Sequence, residues 1–323
     1  LVENIGFNFF SVKEGDLNLS PLINKDIFVD FVQASGEIDV NLNKVYFNDL
    51  YISSDTAKFE ANGIISDSDG GSIALNGKVR GWTNDDLKRL WPKNILPPVR
   101  GWYVNSIKSG IIKDGDVILD ISYNQVQKKK LTNESIIAKL NVSNVSVMYL
   151  KSFPLLTKSE GIIEITPKKF IGNLKSGIVN EVPISEGKIE LNLNAPKQWI
   201  ADLEFIGKGN NKDIFSILNN KPINISEKFS INEEKVFGTS ASRVILNFPV
   251  RLDLTFDEIN FAAVTNLVNF GINDIVNNIN LANANMLLNV TKNNLNVIGK
   301  GELNNIPVNI EWNQNLQSQN GST

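Results

Sequence analysis

The chain contains neither histidine nor cysteine, so only carboxylate, lysine and tyrosine chemistry remains. Imidazole and thiolate zinc sites, Ser-His-Asp and Cys-His nucleophile systems and any disulfide framework are excluded by residue type alone. Two adjacent acid pairs, Asp85-Asp86 and Glu233-Glu234, come nearest to glycoside hydrolysis, which needs two carboxylates about a scissile bond. The first pair falls in the opening turn of a predicted helix, where acids complement the dipole, and the second in a polar linker. Asp67-Ser68-Asp69-Gly70-Gly71 starts like a calcium loop but lacks the bidentate acid that should follow, so it reads as a hairpin turn. Gly207-Lys208-Gly209 lacks both the third glycine of a phosphate cradle and a long helix to supply an anion site. We expect no catalytic residue, no cofactor and no metal.

The 323 residues carry 32 basic and 35 acidic side chains, a formal net charge of −3. No basic face for a phosphate backbone follows from such a balance, and nucleic acid is not an expected partner. The length allows about two units. Lys128-Lys129-Lys130 is expected to be a solvated turn or edge protection rather than a headgroup contact. No stretch approaches 18 consecutive apolar residues, and no charged segment followed by an apolar core opens the chain. Because it begins at Leu1, it is read as a piece of something longer, whose anchor or signal lies outside it.

The elements that must position any site are strands. Val244, Leu246, Phe248, Val250, Leu252, Leu254 and Phe256 alternate with mainly polar neighbours, which predicts one long strand with an apolar face. The same alternation marks Ile38, Val40 and Leu42, then Ile189, Leu191 and Leu193, then Val308, Ile310 and Trp312. Asp69-Gly70-Gly71, Asp114-Gly115 and Glu186-Gly187 are the expected hairpin turns.

Helical pattern is confined to short inserts. Thr83 to Asp86 resembles a capping box, with Leu87, Leu90 and Trp91 following before Pro92. Pro98 opens a second helix bearing Val99, Trp102, Tyr103 and Ile107, with Gly110 expected to end it. A third runs through Asp213, Ile214, Ile217 and Leu218. A weak repeat, Ile206-Gly207-Lys208-Gly209 and Ile298-Gly299-Lys300-Gly301 with the looser Asn76-Gly77-Lys78-Val79, is spaced too unevenly for a solenoid. The expected division is a β unit at 1–82, a helical insertion at 83–115, a β unit at 116–230 with a short helix near 213–219, a closing β unit at 231–315 and a disordered tail at 316–323.

The segment from Leu87 through Trp91-Pro92, Pro97-Pro98, Arg100 and Trp102 to Gly110, followed by the strand Val117 to Asp120, resembles the AsmA-like YhdP family. There a short helix reaching a proline precedes a helix bearing Arg-x-Trp that ends at glycine. Tyr149, Phe153-Pro154 and the stretch from Asn294 to Trp312 are similar to further blocks of the family, so the resemblance spans roughly residues 30 to 315. It implies an all-β, mainly antiparallel fold: a long curved sheet forming an open hydrophobic groove with short helical insertions. It also implies a periplasmic protein, anchored in the inner membrane when whole, that carries phospholipid between the inner and outer membranes. Further groove repeats and that anchor are then the expected partners within the full-length chain, and the oligomeric state stays open.

Physical reasoning agrees to this extent: a sheet with one apolar face must cover it with a second sheet, helices or a ligand. So few helices leave acyl chains as a cover, each buried CH₂ contributing about 0.8 kcal/mol without directional contacts. The expected lining is Ile38, Val40, Leu42, Ile189, Leu191, Leu193 and the even positions from Val244 to Phe256. Trp91, Pro92, Trp102 and Tyr103 are expected to dock the helical insert on the sheet. The rival expectation is a self-covered β-sandwich or barrel serving as a structural or protein-binding module.

Overall fold

The computed structural model describes residues 4–11, 15–18, 26–91, 95–128, 130–194, 198–220, 226–227, 231–251, 254–276 and 278–316. The chain is mainly antiparallel all-β with short helices, as expected. The first strands are β1 (Asn4–Ser11), β2 (Gly15–Asn18), β3 (Asp26–Val29), β4 (Phe31–Asp39), β5 (Lys44–Ser54), β6 (Ala57–Ser66), β7 (Ser72–Thr83), β8 (Ile107–Ser122) and β9 (Ile136–Val147). Then come β10 (Leu156–Thr166), β11 (Lys169–Val179), β12 (Val182–Asn194), β13 (Gln198–Asn210), β14 (Val236–Pro249), β15 (Asn260–Val276), β16 (Ile279–Thr291), β17 (Asn294–Leu303) and β18 (Ile306–Asn315). Sixteen of these form one sheet in chain order, while β2 and β3 pair as a separate hairpin. Short helices interrupt them, among them α1 (Asn84–Leu90), α2 (Pro97–Ser106), α3 (Tyr123–Gln127) and α4 (Asn211–Leu218).

Contacts divide the chain into two compact units, residues 1–146 with 160–172, and residues 147–159 with 173–323. The expected boundary at 115/116 falls inside β8.

In the first unit, register sorts side chains by polarity. Ile5, Ile38, Val45, Ile65, Ile73 and Ile121 are directly opposed in turn across β1, β4, β5, β6, β7 and β8. Opposed residues share a face, so this is a β-branched row about 24 Å wide. Its neighbours on that face are Phe7, Phe47, Leu75 and Leu119, then Phe9, Ala34, Leu50, Ala61 and Val117, then Val32, Ile52, Phe59 and Val79. The opposite face carries polar side chains such as Glu37, Asp49, Glu60, Lys78 and Asp116.

The helical insertion belongs to this unit. Thr83 caps α1 with the expected box: its hydroxyl accepts from Asp86 N, and the Asp86 carboxylate accepts from Thr83 N at 2.9 Å. Arg100 on α2 then holds the end of α1, donating to the carbonyls of Trp91 at 2.9 Å and Lys88 at 3.0 Å. Trp91 donates from its indole to Ile95 O at 2.8 Å and lies beside Tyr103, ring centroids 5.7 Å apart. Trp102 meets Phe170 of β11 edge-on at 5.4 Å. The tryptophans therefore dock the insert on the sheet; Pro92 lies outside the described residues.

Several expectations are corrected. Gly110 does not end α2, which stops at Ser106; it lies inside β8 with φ +154°, where a Cβ would come within 3.0 Å of Val145. Asp114-Gly115 and Glu186-Gly187 are within β8 and β12 rather than at turns. Asparagine makes the tightest hairpins instead: Asn180-Glu181 and Asn304-Asn305 both have two successive positive φ values, as type I′ turns require. The strand expected over 244–256 begins earlier, at Val236, and ends at Pro249, whose ring offers no N–H to the ladder. Beyond it, Glu258 accepts from the Thr255 amide at 3.0 Å and hydroxyl at 2.9 Å and pairs with Arg251, closing a loop. Those hydrogen bonds, the Thr255 amide first, hold the Glu258 carboxyl at about 2.

In the second unit, α4 packs on the sheet through Phe215, whose ring lies 6.2 Å from that of Phe270. Val236, Leu267, Phe270, Ile272, Leu281, Ala284, Met286 and Val297 form the buried cluster there.

Tyr103 tests how the insert is held. Its hydroxyl donates to Asn84 Oδ1 at 2.7 Å, both residues are buried, and burial first and Asp85 second raise its pKa. Tyr103→Phe leaves a buried carbonyl oxygen without this donor and should cost about 1–3 kcal/mol. Urea unfolding should show a lower midpoint at unchanged slope.

Candidate functional site: the apolar sheet faces

Burial along the apolar rows separates covered from open surface. In the first unit, Val79, Leu75, Ile112, Leu140 and Val142 are buried. Leu140, Val142 and Ile112 line, with Leu87 of α1 and Tyr103 of α2, a small cavity of about 40 Å³ under the helical insert. Moving towards β5 the cover ends. Val45, Phe47, Leu50 and Ile52, all on the apolar face of β5, are only half-buried although β4 and β6 flank the strand on both sides. Phe59, Ile65, Ile73, Val117 and Leu119 are half-buried as well, and Ile5 and Phe9 on β1 are about half exposed, at 48% and 53%.

The second unit repeats the gradient. Rows near α4, such as Val236-Ile272-Leu281 and Ser240-Leu267-Met286, are buried. Two rows further along, Val244, Ala263, Val290 and Leu295 are half-buried, as are Leu246 and Phe261 beyond them. Trp312 on β18 is 42% exposed. Within this apolar surface the Ser242 and Thr265 hydroxyls satisfy each other at 2.9 Å.

The expected lining residues are therefore placed unequally. Ile38 stands on the apolar face at 36% exposure, but Val40 and Leu42 do not: β4 ends at Asp39, whose carboxylate accepts from the amides of Asn41 and Leu42 at 3.0 and 2.9 Å. That turn leaves both side chains about half exposed, at 53% and 50%. Ile189, Leu191 and Phe248 are on the apolar face yet buried, Leu191 at 1%. These three are core at their positions. Val244 and Leu246 are half-buried on that face; Val250 and Leu254 are half-buried in the loop after β14. Leu252 lies outside the described residues, as do the side chains of Leu193 and Phe256. Of the best-placed open residues, Phe47, Leu50 and Ile52 were missed because the alternation of β5 changes phase at Asn48-Asp49, and Phe59 of β6 because it alternates only with the small Ala57 and Ala61.

The acid pairs are structural. Asp86 caps α1 and pairs with Arg89 at 3.2 Å. Glu233 accepts from the Asn219 amide, and Glu234 pairs with Lys212 at 2.6 Å. Among the described residues no group of three or more acids is placed to hold a metal ion. Among the described residues no helix is long and apolar enough to cross a membrane.

Comparison with family models, with curated proteins and with solved structures returns no match.

Ile52 and Val79 occupy one row of the apolar face, each opposed to Phe59 from either side. Val79→Asp buries an unpaired carboxylate, costs several kcal/mol and should abolish folding of a marginally stable unit. Ile52→Asp keeps its carboxylate hydrated and should lose less than about 2 kcal/mol. Thermal melts of the two variants compare them directly, and equal losses would mean that β5 is covered.

Proposed function

We propose that the open apolar faces bind acyl chains, and that the chain serves to move phospholipid between the inner and outer membranes from the periplasmic side of the envelope. The observation that carries this reading is β5: a strand inside the sheet whose four apolar-face side chains are only partly buried. Apolar surface left in water costs about 25 cal/mol per Å², so an occupant of apolar character is favoured there. An acyl chain offers that area without directional bonds, which lets it slide along rows of aliphatic side chains. The rival self-covered module needs a second layer over β5; β3 of the separate hairpin touches that strand, yet Val45, Phe47, Leu50 and Ile52 are still only partly buried.

The resemblance to the AsmA-like YhdP family supports the transport part of the proposal. It rests on Trp91, Arg100, Trp102 and Gly110, with Pro92. Arg100 ties α2 to the end of α1, Trp91 and Trp102 pack the insert on the sheet, and Gly110 lets Val145 approach β8. Within that reading the membrane anchor and further groove repeats belong to the full-length protein. No catalytic step is proposed.

Native mass spectrometry of the purified chain should detect copurified phospholipid. A Phe47→Asp/Phe59→Asp double variant that still melts cooperatively should have lost it. Absence of lipid from the parent after detergent-free purification, or equal lipid in the variant, would overturn the proposal.

A further inference from the structure

The polar face of the first unit holds a second feature, independent of the acyl-chain reading. Gln33, Tyr51, Glu60, Lys78 and Asp116 are directly opposed in turn across β4, β5, β6, β7 and β8. All five line one hollow of about 700 Å³, together with Asp49 and the amides of Asn62 and Asn76. Its floor is the row behind them, Leu50, Ala61, Gly77 and Val117.

At several other places on polar faces, neighbouring groups satisfy one another. Asn141 donates to Asp114, Arg243 to Glu204 at 2.7 Å and Asn247 to Asp202 at 2.6 Å. In this row no side-chain hydrogen bond or ion pair joins Gln33, Tyr51, Glu60, Lys78 or Asp116 to another described residue. The hydrogen-bonding capacity of five neighbouring strands is thus left pointing into one hollow.

We infer that this hollow is a binding site for a neutral, extended, polyhydroxylated ligand, an oligosaccharide. The order of the row argues for that class. Glu60 and Asp116 only accept, Lys78 between them only donates, and the amides and Tyr51 do both. A hydroxyl is donor and acceptor at once, so successive hydroxyls can answer an alternating row spaced by about 4.8 Å. Three carboxylates, Asp49, Glu60 and Asp116, against Lys78 repel phosphate and other anions, while Lys78 at the centre disfavours a polycation. Tyr51 supplies the amphipathic ring on which a sugar face rests.

The test is an array of neutral linear oligosaccharides probed with the purified full chain, with inorganic phosphate and spermine as comparators in solution titrations. Binding to a neutral oligosaccharide is expected, weakened at least about tenfold by Lys78→Ala and by Glu60→Gln/Asp116→Asn. These positions other than Tyr51 are exposed, so melting temperatures should stay near the parent's. Phe47→Asp/Phe59→Asp, on the opposite face, should leave sugar binding unchanged, which separates this site from the lipid reading. No oligosaccharide bound, binding indifferent to the substitutions, or a preference for spermine or phosphate would each overturn the inference.

Discussion

Two residues directly opposed in an antiparallel pair must share a face of the sheet, and everything else in the first unit follows from that obligation. Ile5 commits Ile38, Ile38 commits Val45, and the chain of pairs continues through Ile65 and Ile73 to Ile121. A slip of one residue in any pair would send the apolar rows to the polar side. The bulges are where this phase is kept. In β5, Val45 and Phe47 are followed by Asn48-Asp49, after which Leu50 and Ile52 resume on the same face because the register shifts there. Positive φ values at Asn144, Asn269 and Asn283 mark similar phase changes within β9, β15 and β16.

The short helices account for part of the dry apolar surface. Where α1 and α2 lie over the sheet, Val79 and Val142 are buried; where α4 lies, Leu267 and Ala284 are. Farther from the helices, side chains such as Ile52 and Val244 are only partly buried. A domain that covered these rows would gain stability, so their exposure is a structural cost of the kind that binding surfaces carry.

Strand content, the capping box at Thr83, the docking of Trp91 and Trp102 and the helix at 211–218 were legible in the sequence, because each rests on local spacing. What failed was phase and punctuation. Reading unbroken alternation through Pro249 extended β14 into a loop, and reading it through Asp39 placed Val40 and Leu42 on a strand they do not join. Glycine was taken as the mark of a hairpin, but Asn180 and Asn304 make the turns while Gly115 and Gly187 lie in strands. Asparagine was the signal for turns and bulges, since it tolerates positive φ. The open rows on β5 could be found only by allowing a bulge at Asn48-Asp49. The polar row from Gln33 to Asp116 depends on register across five strands, which no local pattern encodes.

The central claim is that one face of β5 meets acyl chains and the other does not. A photo-crosslinking residue placed at position 52, and separately at position 53, tests it most directly, because neighbouring strand residues point to opposite faces. Incubated with phospholipid vesicles and irradiated, the chain labelled at 52 should give a lipid adduct and the chain labelled at 53 should not. Equal adducts at both positions, or none at 52, would contradict the account.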